Sequence, residues 1–133
     1  MESFRILIVE DNVIFRHTMA DFLSFGFPSA AIEEAGDAQE AWQKIDTRPP
    51  DLIFMDIRLP RQNGLQLTGQ IKKTHPAIIV VMLTSYDQPE YREEARRVGA
   101  DHFLVKGTST NEDMTALVRE ILEKSRKPIP SPR

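Results

Sequence analysis

Four short apolar runs divide this chain, and each is followed at once by a polar group. They cover residues 6–9 (ILIV), 52–55 (LIFM), 78–83 (IIVVML) and, more weakly, 102–105 (HFLV). All are rich in β-branched residues and too short for buried helices. None alternates cleanly between apolar and polar, the texture of strands covered on both faces. A fifth candidate, 31–35 (AIEEA), carries two glutamates, as an edge strand does.

Helical patterns fill the gaps. Phe15, Met19, Phe22 and Leu23 share one helix face that should stop near Gly26. Asp37 with Glu40 three residues on is an N-cap signature, and it opens a helix holding Ala41, Trp42 and Ile45. Pro49-Pro50 ends that helix. A weaker helix over 64–74 turns Leu67 and Ile71 inward. Pro89 starts another, with Tyr91, Ala95 and Val98 on one face and Gly99 as terminator. Ser109-x-x-Glu112 reads as a capping box ahead of Met114, Leu117, Val118, Ile121 and Leu122. The order is therefore (βα)5, an α/β fold with a parallel sheet wound on both faces by helices.

At 133 residues, 41% hydrophobic and 28% charged, the chain is one domain with enough apolar matter for a core. It has no cysteine, which excludes disulfides and thiolate metal sites and suits a reducing cytoplasm. No apolar run reaches membrane-spanning length. A formal charge of −3 argues against direct nucleic-acid binding. The stretch 125–133 (SRKPIPSPR) reads as a proline-rich tail or the start of a linker, leaving 1–124 as the domain.

In an open parallel sheet, ligands bind at the carboxyl ends of the strands. Counting strands along the chain, Glu10 and Asp11 follow the first, Asp56 the third, Thr84 and Ser85 the fourth, and Lys106 the fifth. Three carboxylates in one crevice repel one another unless a cation joins them. Oxygen-only ligands select a hard ion, Mg²⁺ or Mn²⁺. A carboxylate nucleophile, a hydroxyl donor and an ammonium beside such an ion are what phosphoryl transfer needs. Taken singly, each has a plainer explanation. Asp11 or Asn12 serves as a helix cap, Lys106 as a solvated surface charge, Thr84 as a turn residue. Caps alone do not explain all of them on different strands at one end.

These residues sit in four segments, ILIVEDN (6–12), DLIFMDIRLPRQNG (51–64), VVMLTSY (80–86) and GADHFLVKG (99–107). In that order and spacing they resemble the receiver domains of bacterial two-component response regulators, from Phe4 to about Lys124. The resemblance implies a flavodoxin-like strand order, 2-1-3-4-5. It also implies a switch that accepts a phosphoryl group on Asp56 from a sensor histidine kinase or phosphotransfer protein. Glu10, Asp11, Asp56 and the backbone carbonyl of Arg58 would hold Mg²⁺, with Asp11 a direct ligand and Glu10 acting through water. Thr84 and Lys106 would bind the phosphoryl group. Thr84 and Phe103 would form the switch, and Arg58 and Tyr86 would tune phosphate lifetime. The face of the fourth helix, fifth strand and fifth helix would meet a downstream protein or fused output domain, and a phosphorylation-dependent homodimer stays open. Such a chain promotes its own phosphorylation and dephosphorylation without being a conventional enzyme.

Some positions depart from the common pattern. Gly107 stands where many members have proline, so the turn should use glycine's freedom at positive φ. Asn63-Gly64 replaces Asp-Gly, and Phe103 lacks the hydroxyl many members carry. Other readings are weaker. A haloacid-dehalogenase-like phosphatase needs an aspartate where Arg58 stands. Gly64 and Gly69 have P-loop spacing, but Gln70-Ile71 follows in place of Lys-Ser/Thr. A pseudo-receiver, docking without chemistry, is disfavoured by the intact acidic set. His17, His75 and His102 lack metal-ligand spacing, and His17 is expected to be a surface residue with no acidic partner.

Overall fold

A computed structural model describes residues 3–85 and 87–125. Tyr86 and residues 126–133, and so most of the expected tail, lie outside the described residues. The elements run β1 (Arg5–Val9), α1 (Val13–Gly26), β2 (Ala31–Ala35), α2 (Ala38–Thr47), β3 (Leu52–Met55), α3 (Gly64–Thr74), β4 (Ile79–Thr84), α4 (Pro89–Arg97), β5 (His102–Val105) and α5 (Asn111–Ser125). All strand pairs are parallel, in the order β2-β1-β3-β4-β5. The glutamate-bearing strand is at the edge, where Glu33 and Glu34 pair with Arg5 and Arg16.

The alternation hidden in the apolar runs is visible in the core. Leu7, Val9, Ile53, Met55, Val80 and Met82 face α2, α3 and α4. Ile6, Ile8, Leu52, Phe54, Val81 and Leu83 face α1 and α5. Each of these central-strand residues thus meets helices on one side or the other, which is why these runs are apolar throughout.

Three local expectations shift. The fourth strand begins at Ile79 and includes Thr84, which is fully buried. The capping box of α5 lies one residue later than Ser109 and Glu112. Asp113 N–H donates to Thr110 Oγ1 at 3.0 Å, and Thr110 N–H donates to Asp113 Oδ2 at 2.8 Å. Ser109 Oγ instead accepts from Val105 N–H, tying the β5–α5 loop back to the strand. His17 does have an acidic partner, because Glu34 on the neighbouring β2 lies 2.6 Å from its Nδ1. That contact crosses elements and leaves no trace in local spacing. The expected boundary at 124 falls at the end of α5, whose last residue is Ser125.

Candidate phosphoryl-acceptor site

The acidic crevice is built by strand register. Val9 and Met55 are aligned across β1 and β3, so Glu10 and Asp56 emerge at the same height, with Thr84 one residue beyond that row on β4. Backbone bonds extend the ladder past the strand ends. Asp56 N–H donates to Val9 O at 3.1 Å, Glu10 N–H to Ala35 O at 3.0 Å, and Lys106 N–H to Thr84 O at 2.8 Å. The residues expected to carry chemistry are therefore pinned by main-chain bonds before any side chain acts.

Glu10 and Asp56 are buried and Asp11 is exposed. One carboxylate oxygen from each lies within 4.8 Å of the others, the one such acidic group among the described residues. Lys106 Nζ stands 2.5 Å from Glu10 Oε1 and 3.6 Å from Asp56 Oδ2. Asn12 N–H donates to Glu10 Oε2, and Arg16 donates to the Glu10 carbonyl at 2.7 Å. Glu10 is thus held on every side. Asp56 is not. Burial, followed by the charge of Glu10, raises its pKa to about 6 against the pull of Lys106 and of the Arg58 and Ile57 backbone N–H groups. Three clustered oxygen donors suit a hard divalent ion, whose charge would offset the repulsion between Glu10 and Asp56.

Thr84 sits on the opposite parity. It follows Val80 and Met82, which face α2–α4, whereas Asp56 and Glu10 follow Phe54 and Ile8, which face α1 and α5. Phe103 packs on the α2–α4 side, with the Arg92 guanidinium 4.6 Å above its ring centroid. Arg92 Nε in turn donates to Asp87 at 2.6 Å. The expected Arg58 is exposed, with its backbone N–H against Asp56. Gly107 has φ of +90°, the left-handed turn expected there. A groove of about 880 Å³ between α3 and α4 is lined by none of Glu10, Asp11, Asp56, Thr84 and Lys106.

Gly64, expected to follow a turn residue and to open α3, does so. Its lack of a side chain lets α3 start against the Asp56 backbone. A Cβ there would lie 2.0 Å from the Asp56 carbonyl oxygen, and Gly64 N–H donates to Ile57 O at 2.7 Å. Asn63 Oδ1 caps the helix through Gln66 N–H. A glycine directly after a capping asparagine was the available signal.

The fold and the crevice define a flavodoxin-like α/β domain with a carboxylate-and-lysine site at the carboxyl edge of its sheet. Residues 6–119 match the family described as the response regulator receiver domain, and the chain belongs to it. It is similar to the transcriptional regulatory protein PdtaR of Mycobacterium tuberculosis, 37% identical over 114 residues, which cover 85% of this chain and 54% of that protein. Against the response regulator protein VraR of Staphylococcus aureus it is 32% identical over 118 residues, covering 89% and 56%. The chain spans about half the length of these relatives. Among solved structures, a CheY-like response regulator receiver domain protein from Methanospirillum hungatei JF-1 superposes with a TM-score of 0.85. That match has 28% identity and covers 92% of this chain and 96% of that one. The chain is a receiver domain of the two-component response regulators.

Proposed function

We propose that Asp56 is the phosphoryl acceptor of this domain and that Glu10, Asp11, Asp56 and the Arg58 backbone carbonyl hold Mg²⁺, with Mn²⁺ a substitute. The observation that carries this is the buried Asp56 carboxylate, its pKa raised to about 6, between Glu10, Asp11 and Lys106. The ion, when bound, supplies positive charge that favours ionised Asp56 and neutralises the transferring oxygens. The Asp56 oxygen attacks the phosphorus of a phosphohistidine on a sensor kinase or phosphotransfer protein. The P–N bond breaks and the leaving imidazole takes up a proton. Lys106, within 3.6 Å of Asp56, pairs with the dianion. Thr84 turns its hydroxyl toward it.

As Thr84 moves, Phe103 moves into the space behind it, and the face formed by α4, β5 and α5 changes. That face reports to a partner protein or an output domain, with no direct nucleic-acid contact by this domain, and a phosphorylation-dependent homodimer uses the same change. Arg58 and Tyr86 tune phosphate lifetime by limiting water. Promotion of its own phosphorylation and dephosphorylation makes the domain a switch rather than a conventional enzyme. The domain runs over 1–124, with 125–133 a proline-rich tail or the start of a linker. Among the described residues no helix is long and apolar enough to cross a membrane; with a cytoplasmic kinase as donor, we place the domain in the cytoplasm.

Calorimetric titration with Mg²⁺, then with beryllofluoride, tests this reading. Uptake of both, lost in Asp56→Asn, is expected. Beryllofluoride uptake that survives that substitution would move the acceptor elsewhere.

A further inference from the structure

Lys106 has a partner outside the acidic cluster. Its Nζ lies 4.3 Å from the centroid of the Phe15 ring on α1. Phe15 is half-buried and, with Ile8, Phe54 and Leu83, lines a tight crevice beside Glu10 and Asp56. Its position is set from the acidic cluster itself. Glu10 Oε2 accepts from Asn12 N–H at 3.0 Å, and Asn12 Oδ1 accepts from Phe15 N–H at 2.9 Å. Lys106 then returns to Glu10 Oε1 at 2.5 Å. Glu10, Asn12, Phe15 and Lys106 form a closed ring of contacts around one ammonium.

We propose that Phe15 is a positioning residue for Lys106, its ring face holding the ammonium at the mouth of the Asp56 crevice. The physical reason lies in what competes for each partner. A divalent cation entering the crevice draws on the carboxylates that now hold Lys106. The negative face of an aromatic ring is no ligand for a hard oxygen-seeking ion, yet it attracts an ammonium. Phe15 is thus the partner that Lys106 keeps when Glu10 and Asp56 turn to the metal, so the ammonium stays where the phosphoryl oxygens arrive. An ordinary core phenylalanine would need only its volume. A positioning ring needs its electrons.

This inference rests on the phosphoryl-acceptor reading for its consequence, though not for the contact itself, and two measurements separate them. In the metal-free chain, the Lys106 ε-methylene protons should be shifted upfield by the ring in the wild type and in Phe15→Tyr, and lose that shift in Phe15→Leu. With Mg²⁺ and acetyl phosphate, phosphorylation should slow about three- to tenfold in Phe15→Leu and stay within about twofold in Phe15→Tyr. Replacing Phe15 by mono-, di- and trifluorophenylalanine keeps the shape and weakens the ring face, so the rate should fall stepwise with fluorine count. This series decides the matter if Phe15→Leu folds poorly. An absent ring shift, or a trifluoro variant as fast as the wild type, overturns the proposal. If the wild type takes no phosphoryl group while the ring shift is present, the acceptor reading fails and the Phe15–Lys106 contact stands.

Discussion

The two sides of the sheet's carboxyl edge are built differently. On the α1/α5 side, Glu10 and Asp56 follow buried strands and Lys106 follows the half-buried β5; all three continue the backbone ladder and are sequestered or paired. On the α4 side, the contacts that would carry a signal are Arg92 over Phe103 and Arg92 to Asp87, with Arg92 and Asp87 each about half exposed. Exposed ion pairs are worth at most about 1 kcal/mol, so that side is easily rearranged. The difference suits a switch. Chemistry needs preorganised groups, and the readout needs a state that one new charge can shift.

The strongest way to break the comparison is at Gly64. Gly64→Ala places a methyl group against the Asp56 backbone, and a loss of about 3 kcal/mol or more in denaturant unfolding is expected. A change below about 1 kcal/mol would mean the rigid side yields as easily as the mobile one.

Asp56→Asn should act oppositely. Folded Asp56 binds its proton more tightly than the unfolded chain does, so its contribution to stability falls as pH rises from about 4 to about 6, then stays level. The Asn variant escapes that loss. In the absence of metal it should be more stable than the wild type by about 2–3 kcal/mol at pH 7, with the gap closing near pH 4. Thermal melts across that range check both sign and window. A variant less stable at pH 7 would show that Lys106 outweighs burial.

Thr110→Ala tests the corrected cap of α5 and should cost about 1 kcal/mol, with Ser109→Ala acting instead on the β5–α5 loop. The smallest stability effect is expected from Arg92→Ala, within about 1 kcal/mol. Its value lies in the readout. A fluorine label on the Phe103 ring should report a shift in the metal-free variant toward its beryllofluoride-bound position. An unmoved label would show that Arg92 does not hold the aromatic ring.

The sequence was most legible where backbone periodicity and capping act locally. β2, β3, β5 and α3 fall at their expected limits, and Asp37 caps α2 through Glu40 N–H as its spacing implied. The acidic set was legible because parallel strands deliver their following residues to one edge. What escaped were contacts between elements distant in sequence. His17 with Glu34, Lys106 with Phe15 and Arg92 with Phe103 join residues whose spacing carries no period. Phe15 looked like one more residue on an apolar helix face, and only its ring's place over Lys106 separates it from its neighbours.

The most direct test of the central claim is intact-mass spectrometry after incubation with Mg²⁺ and acetyl phosphate or phosphoramidate, beside Asp56→Asn and metal-chelated samples. The expected result is a gain of one phosphoryl group, about 80 Da, in the wild type with metal and in neither control. A gain of the same size in Asp56→Asn would contradict the assignment of Asp56 as the acceptor.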